Sequence, residues 1–293
     1  MKIGFFQNMG KEDVISVMQR AVSICTRIGM EVYLPEDANE QDALSAIGVP
    51  KDHILPRKKL YETIQIAFSF GGDGTIIHLA KDVVDYDILV CGVNLGELGF
   101  LNQIELRNMQ SRMLRIFKGD YFIEERTLLE AYIQGPEGKR EMPLAMNDVT
   151  ITRTEAGKMA RINLAIDGYE VQQYPADGLI VATSTGSSGY NLSAGGPILA
   201  PDNHSIVVTP VCPHLLQSVS LTLRPDSAIK ITMPQREKSL IASVDGTFNG
   251  EFFNDEELHI KAYGKLSRFI RFHDQRFFGT LFKKLNARRE MLL

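Results

Sequence analysis

A change of rhythm near Tyr121 restricts the fold more than any other feature of the chain. Before it, short apolar runs alternate with helical patterns. Lys2 to Phe6 reads as a strand. Val14, Val17, Met18, Ala21, Val22, Cys25 and Ile28 then recur at three- and four-residue spacing, which marks one face of a helix. Gly29 ends that helix, and Glu31 to Leu34 reads as the next strand. Ile64 to Phe70 is a further strand that runs into a glycine-rich turn. Ile76 to Val84 reads as helix and Asp87 to Val93 as strand. Leu106, Met109, Met113, Ile116 and Phe117 mark another amphipathic helix. Such alternation predicts an α/β N-terminal domain with a parallel sheet, expected over residues 1–122.

From Leu128 to about Arg271 the chain becomes a series of short β-rich runs. They include Leu128–Ile133, Val149–Thr152, Arg161–Ile166, Leu179–Ala182, Ile206–Val211, Leu221–Leu223, Ile229–Met233 and Ile241–Val244. Asp167-Gly168 and Asp245-Gly246 are turn signals between such runs. A mostly antiparallel β-rich C-terminal domain is expected over 123–272. Arg276 to Met291 reads as helix again, so 273–293 is expected to return to the first domain. A length of 293 residues with 44% hydrophobic content suffices for two packed cores.

The formal net charge of −4 argues against nucleic acid or an anionic membrane as the main partner. An anionic ligand must then be held locally, by backbone amides or a few cations. Cys25, Cys91 and Cys212 are odd in number and far apart, which argues against a disulfide framework or a zinc site and fits a cytoplasmic setting. The apolar run at the start is too short for a signal peptide, and no stretch is long and apolar enough to span a bilayer. None of the histidines has paired metal-ligand spacing, and His214 reads as a loop residue.

Gly71-Gly72-Asp73-Gly74-Thr75 lies between a strand and a helix. Bare backbone amides in such a turn can surround a phosphate near a helix N-terminus. The pattern is neither a P-loop nor a dinucleotide fingerprint. Asp73 is electrostatically misplaced beside phosphate unless it holds a metal or takes a proton. The alternative is that it caps the following helix. A second stretch, Gly92 to Leu101, is a glycine-dense connection at the end of the next strand. Asn147-Asp148, before the strand at Val149, is an ordinary turn former or a pair of acceptors for ribose hydroxyls. The run from Asp177 through Thr185, Ser188, Gly189 and Tyr190 to Ile198 reads as a linker or as a surface of hydroxyls and amides for sugar, phosphate or base edges.

Six segments in order resemble the NAD kinase family. They are Gly71–Thr75, Gly92–Leu101, Ala145–Val149, Ala176–Ile198, Thr209–His214 and Ser243–Gly246. The resemblance implies that residues 1–122 form a nucleotide-binding domain. It implies an enzyme that transfers a phosphoryl group from ATP to the 2′-hydroxyl of the adenosine ribose of NAD, making NADP. It further implies that Asp73 is the catalytic base and that Gly71, Gly72, Gly74 and Thr75 line the phosphate region. Asn147 and Asp148 would hold ribose, Asp177 would meet the nicotinamide end, and Thr185, Ser188, Gly189 and Tyr190 would surround adenosine and ribose. Mg²⁺ would accompany the phosphates, its protein ligands being unassigned, and a homodimer or homotetramer is implied.

The pattern departs from the family at Pro175, Ser184 and Gly189, where Arg, Pro and Ala are usual, and after His214, where an expected Arg is absent from Leu215–Ser220. Two other functions share some of these features. Diacylglycerol- and sphingosine-type lipid kinases have a similar glycine turn, but their acceptor needs a wide apolar cleft that this sequence does not suggest. A non-catalytic NAD(P)-binding sensor would not need Asp73.

Overall fold

The computed structural model describes residues 1–7, 14–36, 46–96, 99–155, 158–215, 217–235, 238–274 and 277–290. Glu97 and Leu98 of the second glycine stretch lie outside the described residues. So do Leu216 after His214, and Arg276 and Met291 at the ends of the expected last helix.

In chain order the elements begin β1 (Lys2–Gln7), α1 (Val14–Arg27), β2 (Glu31–Pro35), β3 (Ile54–Leu55), α2 (Arg57–Thr63), β4 (Ile66–Gly71), α3 (Asp73–Asp82), β5 (Leu89–Asn94), β6 (Asn102–Glu105), α4 (Met109–Phe117) and β7 (Phe122–Arg126). The strands β8 (Leu129–Gly135), β9 (Gly138–Glu141), β10 (Asp148–Arg153), β11 (Ala160–Ile166), β12 (Tyr169–Ala176) and β13 (Gly178–Ala182) follow. After a short α5 (Tyr190–Ser193) come β14 (Ile206–Val211), β15 (Leu221–Leu223), β16 (Ile229–Thr232), β17 (Ser239–Val244), β18 (Thr247–Phe253), β19 (Glu257–Ala262), β20 (Ser267–Arg271) and α6 (Phe277–Glu290).

Two compact units result, one of Met1–Glu125 with Ser267–Leu293 and one of Arg126–Leu266. The first contains a sheet in the order β3-β2-β1-β4-β5-β20-β7, with β6 beside β5. Strand β1 runs parallel to β2 and β4, and β5 runs parallel to β4, β6 and β20. Central parallel strands are covered on both faces, so they need continuous rather than alternating apolar residues. Strand β4, Ile-Ala-Phe-Ser-Phe-Gly, is buried throughout. Phe5 packs on Phe68 and Phe70 at ring separations of 5.7 and 4.7 Å. Helix α1 turns Val14, Met18, Ala21, Ile24 and Cys25 into this core, close to the face read from its spacing.

Helix α4 differs from its sequence pattern. It starts at Met109 and buries Met109, Met113 and Ile116, while Leu106 and Phe117 are exposed. The boundaries expected at 122/123 and 272/273 also move, to 125/126 and 266/267. The reason lies in β7 and β20, which join the first sheet. Phe269, Ile270 and Phe272 are fully buried there, Ile270 and Phe272 within the same core as Phe5. These residues look like one more run of the β-rich segment in sequence. Only their pairing with β5, Arg268 to Leu89 and Phe269 to Val90, assigns them.

The second unit is built of two antiparallel sheets, β15-β14-β13-β10-β17-β18 and β12-β11-β16-β19-β8-β9. Their inward residues, among them Val149, Ile151, Ile162, Leu179, Val181, Leu240 and Ile260, form one core. Both Asp-Gly pairs close two-residue hairpins in left-handed backbone, with φ of 51° and 85° at Asp167-Gly168 and 48° and 77° at Asp245-Gly246. That geometry is the one a right-twisted hairpin requires.

Candidate active site

The glycine turn of the first unit joins β4 to α3 without an intervening loop. Gly72, extended at φ −94° and ψ −170°, is the residue before the helix, and Asp73 is its first residue. Helix α3 therefore begins three residues earlier than its apolar pattern, at the glycine turn itself. N–H groups of a first helical turn lack acceptors within the helix and suit an anion. Gly71 ends the strand, and the Thr75 hydroxyl lies where a Gly71 Cβ would be. By contrast, among the described residues beyond its chain neighbours and its own helix, a Cβ on Gly72 or Gly74 would meet nothing within 4 Å, and neither has left-handed backbone. The fold gives no reason for glycine at these positions. Glycine there leaves the backbone open to close approach.

Gly72 holds the cap position and Asp73 stands one residue inside the helix. Its carboxylate receives the second glycine stretch. Oδ2 accepts the N–H of Phe100 at 2.8 Å. Oδ1 accepts the N–H of Leu101 at 3.2 Å and the Asn102 side-chain amide at 3.1 Å. A Cβ on Gly99 would overlap the carboxylate, so any larger residue there would displace the loop or Asp73. Sequence reasoning saw two separate glycine stretches. In the structure one holds the side chain of the other.

In the second unit the run 183–191 divides by direction. Thr183, Ser184, Ser187 and Asn191 are buried and tie the run to itself and to neighbouring segments. Thr183 Oγ1 donates to the Met146 carbonyl at 2.6 Å, and Ser187 Oγ donates to the Ser184 carbonyl at 2.6 Å. Asn191 Nδ2 donates to the carbonyls of Ser187 and Pro197 at 3.0 and 2.9 Å. Thr185 and Ser188 are half-buried, and Gly189 and Tyr190 are exposed. These four are the residues singled out from sequence, and they form the accessible edge of the run. The Thr185 hydroxyl is held by Arg126 Nη1 at 3.1 Å, a buried arginine that the sequence pattern did not signal.

Asn147 and Asp148 adjoin this edge. The Asn147 carbonyl accepts the Thr183 N–H at 2.9 Å, and Gly186 lies so close to the Asn147 backbone that a Cβ would overlap it. The hairpin residue Asp245 accepts the N–H groups of Met146, Asn147 and Asp148 at 3.1, 2.7 and 3.2 Å. That role was hidden in what reads as a turn former. Asp148 is buried, and burial first and Asp245 second push its carboxyl up to about 7. Burial raises the Tyr190 hydroxyl above its ordinary value, and the nearby acidic groups, Asp148 and Asp177 among them, add to the rise. Asp177 is not an open carboxylate, because Arg153 Nε pairs with it at 2.9 Å.

Comparison with known proteins decides the family. The ATP-NAD kinase N-terminal domain matches residues 3–121 and the ATP-NAD kinase C-terminal domain matches residues 146–272. The chain belongs to the NAD kinase family. An NAD kinase of Lachnoclostridium phytofermentans is 33% identical over 287 residues, covering 96% of this chain and 97% of its own. One from Caldanaerobacter subterraneus subsp. tengcongensis is 34% identical, covering 98% and 99%. Among solved structures, yeast NADH kinase complexed with NADH shares the fold at a TM-score of 0.82 and 22% identity, covering 98% of this chain and 87% of its own. An Archaeoglobus fulgidus NAD kinase in complex with ATP does so at 0.72 and 23%, covering 98% and 99%. As an NAD kinase family member the chain is a phosphotransferase, and nothing in these matches supports the lipid-kinase or sensor alternatives.

Proposed function

We propose that this chain transfers the γ-phosphoryl group of ATP to the 2′-hydroxyl of the adenosine ribose of NAD, giving NADP and ADP. The carrying observation is the pair of open glycines, Gly72 and Gly74, at the start of α3 on either side of the Asp73 carboxylate. Gly71, Gly72, Gly74 and Thr75 are the proposed phosphate lining. Phosphoryl transfer depends on alignment and charge neutralisation more than on covalent help. No Lys or Arg lies within Phe70–Ile77, so backbone amides carry the protein's share of neutralisation.

Asp73 is the proposed base. A carboxylate has about four lone-pair sites, and among the described residues loop donors engage three of those on Asp73, leaving one on Oδ2. That site takes the 2′-hydroxyl proton as the bond from the 2′-oxygen to the γ-phosphorus forms. The bond from the γ-phosphorus to the β–γ bridging oxygen breaks, and ADP leaves with its electron pair. Asn147 and Asp148 are the proposed ribose partners, and Thr185, Ser188, Gly189 and Tyr190 the adenosine and ribose surface. Asp177 is proposed at the nicotinamide end together with Arg153.

Mg²⁺ is proposed to arrive on the ATP phosphates. Among the described residues no three or more His, Cys, Asp or Glu are gathered as a cation cage. Phosphate oxygens and water would therefore supply most of its ligands. A homodimer or homotetramer is also proposed. Edge strands β12 and β18 support it, because they expose Tyr169 and Val171, and Phe248 and Phe253. A cytoplasmic location fits the free thiols of Cys25, Cys91 and Cys212. The test is direct: purified chain with NAD, ATP and Mg²⁺ should accumulate NADP, read by an NADP-specific dehydrogenase. ADP release without NADP would overturn the proposal.

A further inference from the structure

The loop that holds Asp73 is itself held from the far end of the chain. Leu101 is gripped on both sides of its backbone: its N–H goes to Asp73 Oδ1 at 3.2 Å, and its carbonyl accepts Arg271 Nη1 at 2.6 Å. Arg271, on β20, is buried, and its Nε donates to Glu124 Oε1 of β7 at 2.7 Å. The neighbouring bonds repeat the arrangement. The Phe272 N–H donates to Gln103 Oε1 at 3.4 Å, and Gln103 Nε2 donates to the Asn102 carbonyl at 3.3 Å. Residues 271 and 272 thus bind Leu101 and Gln103, within and just after the segment whose amides meet the carboxylate.

We propose that Arg271 is a positioning residue for phosphoryl transfer, fixing through the Leu101 carbonyl the loop whose donors orient the Asp73 carboxylate. The proposal rests on the reading of Asp73 as the base. A guanidinium serves Leu101 and Glu124 at once from one rigid plane, whereas a lysine ammonium at the same place offers a single compact charge on a flexible stem. Released from Arg271, the Leu101 carbonyl lets the loop shift. The last free lone pair of Asp73 then no longer points at a fixed place. Small displacements of a reacting group cost rate more than they cost binding.

The test uses the full chain in four forms: parent, Arg271→Lys, Asp73→Asn and the two combined. Arg271→Lys should lower kcat about tenfold or more while leaving KM for NAD and ATP within about twofold. In the Asp73→Asn background the same change should cost nothing further, since a misplaced base no longer matters. Removing one partner of a buried ion pair can prevent folding. A second variant, Arg271→Met with Glu124→Leu, therefore replaces the pair with apolar groups of similar size, which is often neutral for stability. It leaves the Leu101 carbonyl without its donor, so it should melt below the parent yet fold cooperatively, and it should show the same kcat loss. Parent-like kcat in Arg271→Lys and in this double variant, beside an inactive Asp73→Asn, would overturn the role of Arg271 alone. A fully active Asp73→Asn would overturn the reading of Asp73, and the proposal with it. An equal loss in both backgrounds would mean that Arg271 acts through something other than Asp73.

Discussion

Asp73 and Gly99 are in contact such that the carboxylate of one occupies the place a Cβ of the other would take. The contact belongs to a clamp. The Phe100 and Leu101 amides, which follow the glycine, both donate to the carboxylate. Gly99→Ala must therefore move either the loop or Asp73. Overpacking of this kind costs about 1–3 kcal/mol. Expected are a kcat at least about tenfold lower and faster amide exchange at Phe100 and Leu101. Parent-like exchange with parent-like kcat would show that the carboxylate is not held there.

Gly74 gives the opposite signature. It sits in the first turn of α3 with nothing near its missing Cβ. Gly74→Ala should raise stability by about 0.5–1 kcal/mol, because alanine favours helix and restricts the unfolded chain. If phosphate occupies the open space, KM for ATP should rise on the order of tenfold, about 1.4 kcal/mol of lost contact. A more stable protein with unchanged KM would remove Gly74 from the phosphate site.

Gly186 tests the second unit. A Cβ there meets the backbone of Asn147, which no side-chain rearrangement can relieve. Gly186→Ala should lower the melting temperature through a loss on the order of 1–3 kcal/mol, and should weaken NAD binding in calorimetry as Asn147 shifts. Unimpaired binding by a destabilised variant would separate Asn147 from the ribose.

Asp148 makes stability depend on pH in an unusual direction. Its carboxyl is raised from 3.8 to about 7 in the folded chain, by burial first and by Asp245 second. Between these values the native state holds a proton that the unfolded state has released. Its contribution is full below about pH 4, is lost as pH rises to about 7 and stays lost above it. Asp148→Asn imitates the protonated form. The variant should gain stability relative to the parent as pH rises from 5 to 8, read by melting curves across that range. A constant difference would mean that Asp148 does not carry the proton.

Much of this arrangement was legible in sequence because the signals were local. The spacing of Val14, Met18, Ala21 and Cys25 reports a helix face, and Asp-Gly between apolar runs reports a hairpin. Thr185, Ser188, Gly189 and Tyr190 were singled out through family resemblance, and the structure shows them at the accessible edge of their run. Three things were not legible. Asp73 reads equally as a cap or a base. Its actual partners lie 27 to 29 residues away, and no local pattern encodes that. Asp245 reads as a turn former, and its second role, holding three amides about 100 residues distant, appears only once β10 and β17 pair. Arg271 lies in a run indistinguishable from the preceding β strands until β20 joins the parallel sheet.

Asp73→Asn measures the central claim most directly. Asparagine keeps one oxygen, enough for Leu101 and Asn102, but turns its NH₂ toward the Phe100 N–H, donor against donor. A cost of about 1–3 kcal/mol in stability is expected from the unsatisfied group, so kinetics must be read on protein whose melting curve shows it folded. A base supplies about 10² to 10⁴ in rate, so kcat for NADP formation should fall at least about a hundredfold. That is roughly 3 kcal/mol of transition-state stabilisation. NADP binding should survive, since the variant removes a negative charge near the new 2′-phosphate. A folded Asp73→Asn protein with kcat within about tenfold of the parent would contradict the account, leaving Asp73 as the anchor of its loop and nothing more.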